Sequence, residues 1–185
     1  MQIISANSGH LTELLKLSNN AFGDGFVSQH DINEFITSEN KHILVAIENN
    51  KVAGLITAIT CTADKLNQKI LSPTNEIEVS DNDAIGIIKQ VAVNANHYRK
   101  GVADLLLKHS LTEITIPTIW FCVSWYKGEI TPMSKLLLKN NFKLVKIIPN
   151  YWSDESIIKQ YHCAVCGTPP CTCKAELFSL NKKRS

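Results

Sequence analysis

Four of the six cysteines stand within eleven residues, at Cys163, Cys166, Cys171 and Cys173, in the stretch YHCAVCGTPPCTCKAELF. Cys163 and Cys166 are separated by two residues. Gly167 follows them, as in a tight knuckle whose backbone N–H groups can face thiolate sulfur. Pro169-Pro170 stiffens the return, and Cys171 and Cys173 then fall on one face of an incoming strand. Four thiolates in a tetrahedron suit Zn²⁺, at about 2.3 Å per bond. His162 is a substitute ligand for one of them. The gap between the two pairs is shorter than in most zinc fingers. Free thiols in a surface loop and a redox or iron–sulfur site therefore stand beside structural zinc as readings of the same residues. A disulfide framework would spread its cysteines and need an oxidising compartment, so clustering favours metal. Cys61 and Cys122 sit in apolar stretches. Cys122 reads as a small buried hydrophobe rather than a nucleophile.

The second stretch with chemistry in it is VAVNANHYRKGVADLLL, from Val91 to Leu107. A strand ends at Val93, and a loop carrying Tyr98, Arg99, Lys100 and Gly101 leads straight into a helix. A helix N-terminus presents unpaired N–H groups and the positive end of a dipole. Gly101 lets the backbone approach a ligand closely, and Arg99 and Lys100 add positive charge at the same place. This assembly suits a pyrophosphate. Neither the dinucleotide fingerprint nor the P-loop fits, because each needs more glycines at other spacings.

The elements that must position these residues follow from periodicity and punctuation. A first helix is capped by Ser8 and carries Leu11, Leu14, Leu15 and Phe22; Ser28 and Asp31 form a capping pair for a second. HILVAIE (His42 to Glu48) and KVAGLITAITCT (Lys51 to Thr62) make a hairpin about an Asn49-Asn50 turn. A polar connection over 63–83 precedes a buried strand, Ala84 to Val93. Then come a helix from Val102 to Glu113, a strand from Thr118 to Trp125, and a short helix from Pro132 ended by a left-handed Asn141. A strand at FKLVKII, a helix capped by Ser153, a last strand from Lys174 to Leu180 and a frayed tail complete the chain. Antiparallel pairing mixed with a strand–helix–strand crossover predicts an α+β domain, a three-layer α/β/α arrangement around a mixed sheet. Residues 1–185 read as one domain with a cysteine-rich insertion at about 161–174.

The chain has 185 residues, 19 basic and 17 acidic, for a net charge of +2. That balance gives no case for nucleic acid or an anionic membrane as partner. No apolar run approaches the ~18 residues of a membrane span, and the N-terminus lacks a secretory pattern. A cytoplasmic location is the expectation.

Val91-Ala92-Val93 followed by NANHYRKGVA resembles the acyl-CoA-binding motif of the GNAT superfamily of N-acetyltransferases, Gln/Arg-x-x-Gly-x-Gly/Ala after a strand ending in Ala-Val. Gly101 and Ala103 stand in the two small-residue positions. Tyr98 stands where Gln or Arg is usual, with Arg99 one place later. Downstream, TIWFCVSW and PMSKLLLKNNFKLVK are similar to the family's next strand and its helix ending in Lys-x-Gly-Phe, with Asn141 in place of the glycine.

The resemblance implies a sheet splayed between its fourth and fifth strands, with acetyl-CoA entering the gap. Val91, Ala92 and Val93 would line the pantetheine arm. The N–H groups of Tyr98, Arg99, Lys100, Gly101, Val102 and Ala103 would hold the pyrophosphate. A primary amine of a small molecule or a protein would attack the thioester directly, needing a base for its proton and an acid for the thiolate. The Tyr that many relatives use as acid falls here at Leu137, so Tyr126 and Tyr151 are the substitute candidates. Glu76, Glu78, Asp81 and Asp83 are candidate bases, Glu78 foremost, beside a water relay. Trp125 is a candidate wall of the acyl site. The missing Tyr also admits a non-catalytic acyl-CoA-binding or protein-interaction module. Monomer and homodimer are equally compatible with the sequence.

Overall fold

The computed structural model describes residues 1–66, 79–80, 83–126 and 130–182. Its strands are β1 (Gln2–Ser5), β2 (Lys41–Glu48), β3 (Lys51–Thr62), β4 (Ala84–Val93), β5 (Ile119–Tyr126), β6 (Lys143–Ile148) and β7 (Lys174–Asn181). The helices among the described residues are α1 (Leu11–Phe22), α2 (Gln29–Thr37), α3 (Val102–Glu113), α4 (Pro132–Lys139) and α5 (Ser153–Lys159). The strands form one mixed sheet in the order β1-β2-β3-β4-β5-β7-β6. Only β4 and β5 run parallel, joined through α3; every other neighbouring pair is antiparallel.

The sheet is covered on both faces, and along β3 the extra residue of a bulge, Ala53, shifts which residues face each side. Ala53 and Ile56 pack with Val102, Leu106 and Leu107 of α3 and Leu137 of α4. Val52 and Leu55 pack with Leu14 and Leu17 of α1 and Ile32 of α2. The three-layer expectation holds. Gly54 sets how closely α3 seats: a Cβ there would stand 3.0 Å from both the Ala92 carbonyl oxygen and Val102 Cγ1. Burial of each large side chain in these layers stabilises the fold by about 1.5–3 kcal/mol.

Local chemistry fixes several boundaries as expected. Ser28 N–H donates to Asp31 at 2.8 Å and Asp31 N–H donates to Ser28 Oγ at 3.1 Å, a reciprocal cap on α2. Asn49 and Asn50 turn the hairpin with φ of 51° and 59°, and Asn141 ends the α4 segment with φ 64°.

One element was not expected, and three expectations need correction. MQIIS contributes a short edge strand, β1, whose Ile3 pairs with Ala46; it is too short to show a period. Ser8 does not cap α1. It lies inside a 3-10 turn, and the Asn7 side chain accepts from Gly9 N–H instead. Ser153 is the first residue of α5, not its cap, and makes no capping bond there. The tail is tied as far as Lys182, whose Nζ donates to the Leu111 carbonyl and lies 5.3 Å from the Trp120 ring centre. Most of the polar connection expected over 63–83 lies outside the described residues.

Candidate active site

β4 and β5 pair only from Ile85↔Ile119 to Ile88↔Cys122. Immediately beyond, Ile88 faces Ala58 and Gln90 faces Thr57, so Lys89 is the extra residue of a bulge. A bulge bends its strand and increases its twist, and here it turns β4 away from β5. Past it, β4 stays with β3 as far as Val93↔Gly54, and β5 stays with β7 as far as Tyr126↔Lys174. The facing edges of the two strands are therefore parted. Backbone N–H and C=O groups must be satisfied, and past the bulge Val91 and Val93 turn theirs to the gap while Ala92 and Asn94 bond toward β3.

The loop at the wide end is held from behind. Asn94 N–H donates to the Ala53 carbonyl, and the Asn94 side chain accepts from Asn96 N–H at 3.1 Å. His97 Nε2 lies 2.9 Å from Glu48 at the hairpin turn. Tyr98 N–H closes back on Ala95 and Lys100 N–H on His97. Arg99 takes a left-handed φ of 61°. Gly101 is the N-cap of α3 at φ 79°, with no side chain to cap it. The N–H groups of Arg99, Gly101, Val102 and Ala103 find no backbone acceptor among the described residues. A Cβ built on Gly101 meets nothing within 4 Å. Open N–H groups at the positive end of a helix dipole, flanked by Arg99 and Lys100, have the chemistry of an anion cradle. Asp104, the one acid in the first turn, is drawn aside by Lys139 and Asn140, each at 2.8 Å, and by Lys108 at 3.0 Å.

On the α1 and α2 face of the gap stands a train of aromatic rings. Phe22 meets Trp125 at 6.0 Å, Trp125 meets Trp152 at 6.1 Å, and Trp152 meets Tyr151 at 5.0 Å. Burial, then Glu155 and Cys122, hold the Tyr151 phenol up to about 12. Cys122 itself is buried and its thiol is pushed up to about 12, as befits a packing residue. Tyr126 ends β5 on the opposite face from Trp125, so the structure does not bring Tyr126 and Tyr151 together. Asp83 accepts from Ser80 N–H at 3.0 Å just ahead of β4. Glu76, Glu78 and Asp81 lie outside the described residues. Leu137 is fully buried in the core beside α3.

Sequence pattern did not single out Glu176. It is buried on β7 opposite Ser124, just beyond the paired part of β5. The Ser134 hydroxyl donates to its carboxylate, and Ser134 Oγ is 2.7 Å from Thr131 Oγ1, which is 3.4 Å from Ser124 Oγ. One signal could have found it: Glu176 interrupts an inward row that continues with Phe178 and Leu180.

The sequence-predicted thiol cluster is assembled. The sulfurs of Cys163, Cys166, Cys171 and Cys173 all lie within 4.8 Å of one another. Cys163 and Gly167 exchange backbone hydrogen bonds at 2.8 and 2.9 Å, closing the knuckle. Gly167 holds φ 84°, which suits glycine. Burial resists ionisation of Cys166, yet the Thr172 backbone and the neighbouring thiols hold it down to about 7. Burial pushes Cys171 up to about 11 and Cys173 higher still. The cluster could hold a metal ion.

Sheet order, parallel splay, bulge and glycine-capped helix together define the fold of the GNAT N-acetyltransferases, and the chain has that fold. Among solved structures it is similar to Arabidopsis thaliana NAA60 in complex with acetyl-CoA, at 12% identity and TM-score 0.73, covering 98% of each chain. It is similar to an N-acetyltransferase from Staphylococcus aureus Mu50, at 17% identity and TM-score 0.65, again covering 98% of each. A ribosomal-protein-alanine N-acetyltransferase from Brucella melitensis matches at 13% identity and TM-score 0.65, over 98% of this chain and 99% of that one. No family model matches the sequence, and no curated protein matches it. No helix among the described residues is long and apolar enough to cross a membrane.

Proposed function

We propose that this chain is an N-acetyltransferase that moves an acetyl group from acetyl-CoA to a primary amine of a small molecule or a protein. The parted edges of β4 and β5, ending at a helix N-terminus that no side chain caps, carry this reading. The neighbours' names support acetyl transfer in general, and one of them acts on a ribosomal protein.

In this reading the backbones of Val91 and Val93 pair with the amide-bearing arm of acetyl-CoA, with Ala92 between them held to β3. The N–H groups of Arg99, Gly101, Val102 and Ala103 hold the acetyl-CoA pyrophosphate, with the Arg99 and Lys100 side chains adding charge and Tyr98, whose N–H is already bonded to Ala95, completing the turn. Acetyl-CoA supplies the acetyl group as a thioester. Tyr151, protonated across the neutral range, gives its proton to the departing thiolate. Tyr126, on the other face of β5, is the second candidate for that role. Glu78, ahead of β4, is our candidate base on sequence alone. Trp125 and its aromatic neighbours wall the acceptor side.

The burial of Leu137, where the family resemblance places a Tyr, favours a second reading: a module that binds acyl-CoA without turning it over. Free thiol release from acetyl-CoA, measured with a panel of small amines and of peptides bearing free amines, separates the two. Amine-dependent release supports the enzyme. Binding without release by any amine supports the module.

A further inference from the structure

We propose that the four cysteines form a structural zinc centre that holds the acceptor side of the cleft in shape and leaves the acetyl-CoA side independent of metal. The acceptor side, so named, rests on the functional reading above; the metal centre does not.

The geometry is that of a site built for a tetrahedral ion. Sulfur separations are 3.8 Å for Cys163–Cys173, 3.4 Å for Cys166–Cys171, 3.8 Å for Cys163–Cys171 and 3.7 Å for Cys166–Cys173. A tetrahedron with metal–sulfur bonds of about 2.3 Å has edges of about 3.8 Å. A disulfide needs about 2.0 Å, so these are not bonded pairs. Val165 N–H points at Cys163 Sγ from 3.4 Å, the kind of donor that orients a ligating thiolate. All-thiolate, closed coordination fits structural zinc and leaves no open position for chemistry.

The centre ties three segments together. His162 N–H donates to the Asp24 carbonyl at 3.2 Å, and the Tyr161 ring meets Phe26 edge-on at 4.9 Å, so one arm grips the turn between α1 and α2. Cys171 N–H donates to Ser156 Oγ at 2.7 Å, gripping α5. Tyr151 N–H donates to the Cys173 carbonyl at 3.2 Å, fixing the residue we assign as acid. Trp152, Tyr161, Cys163, Cys171 and Cys173 share one buried cluster with Trp125 and Tyr151 packed against it. The anion cradle before α3 draws on none of these residues.

Metal analysis of the purified full chain is expected to give one zinc per molecule. Exchange to Co²⁺ is expected to give the visible absorption of a tetrahedral tetrathiolate, weakened by Cys166→Ser, whose side chain is the exposed one of the four. Reversible chelation is expected to shift the fluorescence of Trp125 and Trp152 while the acetyl-CoA Kd stays within about twofold, as for independent sites. Absence of stoichiometric metal together with no tetrathiolate spectrum would overturn the metal centre, and iron in place of zinc would overturn its identity. Parallel loss of acetyl-CoA affinity on chelation would overturn the division of labour. Zinc present in a holoprotein that does not bind acetyl-CoA would defeat the functional reading and leave the metal centre standing.

Discussion

The backbone N–H of His162 donates to the carbonyl oxygen of Asp24 at 3.2 Å. The cysteine knuckle is thereby bonded to the turn between α1 and α2, and the fit is tight. Gly23 approaches the His162 carbonyl so closely that position 23 has no room for a Cβ.

Gly23 and Gly25 separate collision from backbone strain. Both have positive φ, 105° and 79°, but a Cβ on Gly25 would meet only Tyr161, at 3.7 Å. Gly25→Ala is expected to cost about 1–2 kcal/mol, roughly 2–8 °C in Tm for a chain this long. Gly23→Ala is expected to cost clearly more. Equal losses in thermal unfolding would show that the knuckle does not press on this turn.

Tyr151→Phe tests the acid. A donor works while protonated, and with its phenol held at about 12 Tyr151 loses that function only as pH rises toward 12. No fall in rate from this group is expected below about pH 11. The variant is expected to slow acetyl transfer by about 10²–10⁴ with little change in acetyl-CoA affinity. An unaltered rate would remove Tyr151 from the mechanism.

Asp104 gives the fold an acid-sensitive tie. Hydrogen bonds from Lys139, then Asn140 and Lys108, hold its carboxyl well below the usual carboxylate range, against the pull of burial. Its stabilisation is complete above the unfolded value, near about pH 4, and is lost as pH falls below it. Asp104→Asn is expected to cost about 1 kcal/mol at neutral pH and to flatten the stability profile between about pH 4 and 2. Parallel profiles for parent and variant would contradict this.

Ser134→Ala leaves the buried Glu176 carboxylate without that donor. The expected cost is about 1–3 kcal/mol in denaturant unfolding. Ser134→Ala in a Glu176→Leu background is expected to cost less, because no buried acceptor is then left without its donor. Strict additivity would argue against the pair.

What the sequence disclosed was local chemistry. The Ser28–Asp31 cap, the Asn49-Asn50 turn, the left-handed Asn141 and the glycine before α3 each depend on neighbouring residues. So does the paired spacing of the cysteines. What it hid depends on distant partners. The bulge at Lys89, which opens the cleft, is a matter of register between β3 and β4. The contact of Gly23 with His162 joins segments far apart in the chain. Asn7 caps a 3-10 turn that precedes α1, and α1 itself has His10 at its N-cap position with no side-chain cap. Glu176 was missed because what marks it, the hydrogen bond from Ser134 on α4, joins segments far apart in the chain.

The most direct test is calorimetric titration of acetyl-CoA into the parent, Gly101→Ala and Gly101→Glu. Ala carries the same backbone strain at φ 79° without the charge. The parent is expected to bind, Gly101→Ala to bind somewhat more weakly, and Gly101→Glu to lose at least about tenfold more, about 1.4 kcal/mol. A parent that does not bind acetyl-CoA, or a Glu variant that binds as well as the Ala variant, would contradict the placement of acetyl-CoA in the β4–β5 cleft.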